Sequence, residues 1–234
     1  KGIHELMNWQ REDGTLYAPV PAGNWDKELP LQMLASIGWY GFYTQYYYSA
    51  DSSFVPVIYD RMRRYLHEVW QVDKSGLVIE RQGAWSWGDW GEHVDMGVLT
   101  NCWYYLALKA ERAFALQLGK DKDADEISQM MRSIERCFDT KFWTGSAYRS
   151  PGYKGETHDR SQAMAVVSGL ASKDKYPALT KVLKKEYHAS PYMEKYVLEA
   201  LFQMGEPTFA LERMKQRYTR MLDYAEYTTL FEGW

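Results

Sequence analysis

The sequence predicts an all-α fold, a toroid built from αα-hairpins, and three observations carry that expectation. Apolar residues recur at helical spacing in eight separate stretches. Strand-like alternation is confined to Leu77-Val78-Ile79 and a short Ala147-Tyr148 segment. The helical stretches are joined alternately by short turns and by long, aromatic, glycine-rich loops, which in a ring of hairpins collect at one rim and build a site there. An open helical repeat used for protein binding is the plainer alternative, although no fixed-period tetratricopeptide or HEAT motif is visible.

Residues 1–26 hold two loop-forming clusters, Tyr17-Ala18-Pro19-Val20-Pro21 and Gly23-Asn24-Trp25-Asp26, and read as irregular lead-in or active-face loop. From Asp26, a candidate N-cap, to about Ala50, residues Leu29, Met33, Ile37, Thr44 and Tyr48 keep helical spacing, with Pro30 tolerated in the first turn. Asp51 or Ser52 opens a second helix through Val72, whose apolar face is Val55, Ile58, Tyr59, Met62, Leu66, Val69 and Trp70. Asp73-Lys74-Ser75-Gly76 is a turn. A third helix runs from about Asp95 to Leu118 and stops at Gly119, and a fourth from about Lys122 to Phe138. Residues 139–157 form a second long loop, of a length that a compact domain rarely keeps without use. Four more helices follow, about His158–Leu170, Lys175–Tyr187, Pro191–Met204 and Thr208–Tyr224.

Between the second and third helices lies Ala84-Trp85-Ser86-Trp87-Gly88-Asp89-Trp90-Gly91-Glu92-His93-Val94-Asp95, with three tryptophans and three carboxylates in twelve residues. Indole faces stack on the C–H faces of pyranose rings, and carboxylates accept from hydroxyls or do acid/base chemistry at an anomeric carbon. Trp85, Trp87, Trp90 and Asp89 are therefore candidates to line a sugar cleft; a Trp-rich core plug ending in a helix cap is the bland reading. Asp89 can equally close its own turn between glycines. Asp95 fits a helix cap, and Glu92 and His93 fit supporting roles. Asp159 can be a cap, a sugar ligand or the ion-pair partner of Arg160. Glu232, between Phe231 and Gly233-Trp234, is a candidate acid/base residue whose default is a solvated side chain.

The totals exclude several classes. A net charge of −3 with no polybasic run argues against nucleic acid and anionic membranes, and no apolar run reaches the ~20 residues of a membrane span. Aromatics make up 16% of the chain, with 10 Trp and 19 Tyr, which favours a protein that grips flat or polyhydroxylated ligands. His4, His67, His93, His158 and His188 lack metal-ligand spacing, and no Gly-x-Ser-x-Gly elbow or phosphate cradle occurs. The pairing of Cys102 and Cys137 stays open. The chain begins with Lys and has no signal peptide, so it reads as processed or cut from something longer.

Together, Trp87-Gly88-Asp89-Trp90-Gly91, His158-Asp159-Arg160-Ser161-Gln162-Ala163, the run Ala189-Ser190-Pro191-Tyr192-Met193-Glu194 onward, and Thr228-Thr229-Leu230-Phe231-Glu232-Gly233-Trp234 resemble the catalytic domain of bacterial α-L-rhamnosidases of glycoside hydrolase family 78. The resemblance covers most of the chain. It implies an (α/α)6 barrel and an inverting, cofactor-free cleavage of terminal α-L-rhamnose. Glu232 matches the family's general base, Trp90 with Asp89 an aromatic and acidic wall around the sugar, and Trp25 a further aromatic.

The family's general acid belongs to an Asp/Arg/Glu-rich motif on the N-terminal side, and none appears between Lys1 and Trp25. With eight predicted helices against the twelve of a full barrel, the chain reads as the larger C-terminal part of one, inactive alone, with its acid elsewhere. Its expected partners are a carbohydrate substrate and other domains of the same longer polypeptide, with a secreted or periplasmic setting favoured over the cytoplasm. Another (α/α)6 carbohydrate enzyme, a polysaccharide lyase or a non-catalytic carbohydrate-binding protein are the competing readings.

Overall fold

In a computed structural model, the structure describes residues 2–17, 27–81, 86–224 and 229–234. Trp25, Asp26, Trp85 and Thr228 lie outside them. The described residues form ten α-helices and no strand; the two strand-like segments make only single antiparallel bridges, Val72 with Val78 and Trp143 with Tyr148. The chain divides into two units, Lys1–Trp87 with Thr100–Phe138, and Gly88–Leu99 with Asp139–Trp234.

The first unit departs from expectation at its start. Gly2–Asn8 is a helix, α1, which packs on α4 (Val55–Arg64) through the buried Met7, and Arg61 Nη1 donates to the Met7 carbonyl at 3.0 Å. The helix expected from Asp26 to Ala50 is broken. It becomes α2 (Pro30–Ile37), a turn of π-helix at Trp39–Tyr43, and α3 (Thr44–Ser49). The break sits on two glycines. A Cβ on Gly41 would lie 1.8 Å from the Ser36 carbonyl oxygen, so the chain passes itself where only glycine fits. Thr44 Oγ1 donates to the Trp39 carbonyl at 2.7 Å, an acceptor it shares with the Thr44 backbone N–H.

α4 also widens into a π turn, Tyr65–Val69, and ends at the buried Trp70 rather than Val72. Its apolar face is the one read from periodicity, with Val55, Ile58, Tyr59, Met62 and Leu66 all buried. The Asp73–Gly76 turn is closed by Asp73 Oδ1, which accepts from Ser75 N at 2.8 Å and Leu77 N at 3.2 Å. α5 (Met96–Gln117) and α6 (Asp121–Phe142) are separated by Gly119 at φ +67°, the left-handed conformation a helix stop requires. α6 runs one turn further than its periodicity indicated.

In the second unit, α7 (Asp159–Ser168) is buried on every side, so it lacks an amphipathic face, and it packs against α9 (Pro191–Gln203). α8 (Tyr176–Lys185) and α10 (Pro207–Leu222) complete the unit. Prolines open α9 and α10 at a position whose N–H has no helical acceptor in any case. Arg149 and Gln162 are two of the side chains that tie down the long loop before α7. Arg149 donates to Thr157 Oγ1 (2.8 Å) and the Gly155 carbonyl (2.7 Å), and Gln162 bonds both the N–H (2.7 Å) and the carbonyl (2.9 Å) of Tyr148.

Candidate functional site

The second unit holds most of what the sequence singled out. Asp95 stands before the first turn of α5, where its Oδ1 lies 3.5 Å from Val98 N, and its Oδ2 accepts from Ser150 N at 2.7 Å. It is a cap that also anchors the long loop. The backbone N–H of Asp95 donates to Nε2 of His158 at 3.0 Å. That bond requires an unprotonated Nε2, and burial, reinforced by the nearby Arg160 charge, lowers the His158 pKa to about 3. Unfolded, the imidazole titrates near 6.5, so between about pH 3 and 6.5 the unfolded chain binds the proton that the folded one refuses. Stability is therefore complete above pH 6.5 and falls on acidification by up to about 1.4 kcal/mol per pH unit. Thermal unfolding of His158→Gln, whose amide oxygen can replace Nε2 as acceptor, is expected to show a shallower decline from pH 6.5 to 4; equal slopes would remove His158 as the cause.

Asp89 is enclosed. Its carboxylate accepts from Ser190 N at 2.9 Å and from Ser190 Oγ, and Arg160 Nε lies 2.7 Å away, a charge contact not aligned as a hydrogen bond. Both side chains of this pair are shut off from solvent. Arg160 in turn donates to the carbonyls of Trp90 (2.9 Å), Glu92 (3.0 Å) and His188. One ion pair thus fixes the backbone of the tryptophan loop to the segment that opens α9. Gly91, at φ +91°, lets the loop pass over that guanidinium, since a Cβ would sit 3.3 Å from Arg160 Nη2.

Asp159 does not cap α7; His158 holds the N-cap position. Nor does it pair with Arg160. Its oxygens accept from Ala189 N at 3.0 Å and from Arg213 Nη2 at 2.6 Å, and Arg213 also grips Glu194 through Nε (2.6 Å) and Nη2 (2.9 Å). Arg213, Asp159 and Glu194 are completely buried. The sequence reading missed Arg213 and Arg217; their i,i+4 spacing on α10 was the available signal, because it places both on the face that α9 meets.

Ala189 is a hub for these contacts. Its carbonyl accepts from Arg217 Nη2 and from the indole Nε1 of Trp234, each at 2.7 Å. The C-terminal segment docks there, and Trp90 Nε1 donates to Glu232 Oε1 at 3.0 Å. The loop aromatic and the terminal carboxylate thus meet across 142 residues of sequence. Both are exposed, Trp90 at 40%. Trp87 is half-buried and belongs to the first unit.

Chemically, this is a surface-accessible carboxylate oriented by an indole N–H, on a backbone set by two buried ion-pair clusters. Among the described residues no group of three or more His, Cys, Asp or Glu side chains could hold a metal ion, and no helix is long and apolar enough to cross a membrane.

Residues 1–234 match the family model described as the bacterial alpha-L-rhamnosidase 6 hairpin glycosidase domain. The fold is similar to that of a GH78 family rhamnosidase of Bacillus sp. GL1, with TM-score 0.78 and 20% identity over 99% of this chain and 26% of that one. It is also similar to a rhamnosidase from Klebsiella oxytoca with rhamnose bound, with TM-score 0.81 and 18% identity over 95% of this chain and 45% of that one. The chain therefore spans less than half the length of either. A comparison with curated protein sequences gives no match.

Proposed function

Because the chain belongs to the bacterial alpha-L-rhamnosidase six-hairpin glycosidase domain family, we propose that it is the larger, C-terminal part of the catalytic barrel of an inverting enzyme that removes terminal α-L-rhamnose. Glu232 is the general base that activates the attacking water. The general acid lies outside this chain, in the same longer polypeptide, and the chain alone does not hydrolyse rhamnosides. The observation that carries this reading is the 3.0 Å hydrogen bond from Trp90 to Glu232. It puts an aromatic surface suited to a sugar ring directly beside an accessible carboxylate, the two components that glycoside hydrolysis with a positioned base requires.

Trp90 is the residue proposed to stack on the sugar. Asp89 and Asp159 act one step back. Their oxygens are occupied by Arg160 and Ser190, and by Arg213 and Ala189, so they hold the segments that carry Trp90 and the docking point of Trp234. This assigns them positioning rather than contact with the sugar.

Proton NMR of the full-length enzyme acting on an aryl α-L-rhamnoside tests the mechanism. The first-formed product is expected to be β-L-rhamnose, before mutarotation; initial α-L-rhamnose would mean retention and a nucleophile instead of a base. Trp90→Phe keeps an aromatic face but removes the N–H that orients Glu232. It is expected to lower kcat about tenfold, the cost of roughly one charge-assisted hydrogen bond, while Trp90→Ala also raises KM. A Phe variant with full kcat would show that the indole N–H has no part in orienting the base.

A further inference from the structure

Beside the Glu232 segment lies a cavity of about 650 Å³ whose chemistry the hydrolytic reading leaves unused. Aromatic rings of Tyr187, Tyr224, Phe231 and Trp234 line it, together with Arg217 and Arg220 from α10. No carboxylate is among its described lining residues. The two arginines are three residues apart, one turn of the same helix face. Arg220 is exposed and Arg217 is not: only 8% of its side chain is accessible.

The guanidinium of Arg217 is half-satisfied. Nη2 donates to the Ala189 carbonyl at 2.7 Å, and Nε stands 3.6 Å from Glu194, a carboxylate already held by two nitrogens of Arg213. Nη1 is buried and has no hydrogen-bond partner among the described residues. A buried donor of a charged group left unpaired costs free energy that an acceptor would recover. The face of the guanidinium is covered by the Trp234 ring, 4.1 Å away, and Trp234, 48% exposed, is held by its indole hydrogen bond and by an edge-on contact with Tyr218 at 5.0 Å.

We propose that this cavity binds a carboxylate-bearing pyranose, a uronic acid, with Arg217 and Arg220 taking the carboxylate and the aromatic rings taking the faces of the sugar. A cavity of this volume is in the range of small-ligand sites. The planar fork of Arg220 matches a carboxylate in a way that a hydroxyl does not, Arg217 adds a single donor through Nη1, and ring stacking separates a pyranose from a simple anion. The assignment of a sugar rather than another carboxylate rests on the reading of Glu232 given above. It makes the substrate an acidic, rhamnose-bearing glycan, with the uronate held next to the hydrolytic residue.

The test is calorimetric titration of the full-length protein with D-glucuronate, D-galacturonate, methyl D-glucopyranoside, acetate and, separately, L-rhamnose. A uronate is expected to bind at least tenfold tighter than either the neutral glucoside or acetate. Arg220→Met, a change at an exposed side chain, is expected to weaken it about tenfold, the loss of one charge-assisted hydrogen bond. Arg217→Lys keeps the charge but removes the Nη1 donor and is expected to weaken it by a similar factor, with Trp234 fluorescence no longer responding to ligand. No uronate binding by the folded protein overturns the proposal. So does equal binding of uronate and neutral glucoside, or of uronate and acetate, or an Arg220→Met affinity equal to wild type. Uronate binding without rhamnose binding supports the cavity's assignment and counts against the reading of Glu232 alone.

Discussion

Glu232→Gln in the full-length enzyme is expected to lower kcat by about 10²–10⁴-fold, the usual contribution of a positioned acid/base group. The substitution is close to isosteric and keeps an oxygen acceptor for Trp90 Nε1, so the 3.0 Å contact and the packing around it are retained. What it removes is the ability to take a proton from water. Because the loss falls on the transition state, KM should change little, and kcat/KM should fall in step with kcat. Steady-state kinetics on an aryl α-L-rhamnoside, with circular dichroism to confirm folding, measures this. Turnover within a few-fold of wild type would take Glu232 out of the mechanism and leave the indole contact as packing.

The second large effect is on stability. Asp89→Ala removes the only carboxylate in contact with Arg160 among the described residues and strips Ser190 of its acceptor, all at a site closed to water. Breaking a buried pair by deleting one partner costs about 3–5 kcal/mol, chiefly because the remaining charge is stranded. For a domain of this size that is a fall of roughly 10 °C in the thermal midpoint. The three carbonyls that Arg160 also contacts should keep the value from going higher. Were Asp89 instead a direct ligand of the sugar, its removal would raise KM and leave the melting temperature in place. The two roles are therefore separated by one thermal scan and one kinetic titration.

Long amphipathic helices were legible from periodicity because a single apolar stripe, repeated over several turns, admits few other structures. α4, α6 and the Gly119 stop follow that rule. α1 was not visible: a seven-residue helix that buries only Met7 has no period to detect. The π turns at Trp39–Tyr43 and Tyr65–Val69 were hidden for another reason. Each keeps helical residues in helical order, and only contact with the rest of the fold, such as Gly41 passing Ser36, reveals the extra residue in the turn.

The site was legible in part. Its tryptophan loop and its terminal glutamate could be named, but their meeting came through family resemblance and not through any local pattern. Of the three roles open to Asp159, neither the cap nor the pairing with the adjacent Arg160 is the one the fold uses. Asp159 and Arg160 are neighbours in sequence, yet consecutive residues on a helix point about 100° apart, so each went to a different distant partner, Arg213 and Asp89. That rule could have excluded the Asp159–Arg160 pair beforehand. The i,i+4 spacing marks Arg213 as a residue on a packed face, but which carboxylate it meets is not in the sequence, because ion pairs between segments 54 and 71 residues apart depend on the tertiary path.

A crystal structure of the full-length enzyme soaked with L-rhamnose tests the central claim most directly. The expected result is rhamnose seated against the Trp90 ring, with a Glu232 oxygen about 3 Å from a water positioned beneath the anomeric carbon. Rhamnose bound with Glu232 turned away from its anomeric centre, and another carboxylate in that place, would contradict it.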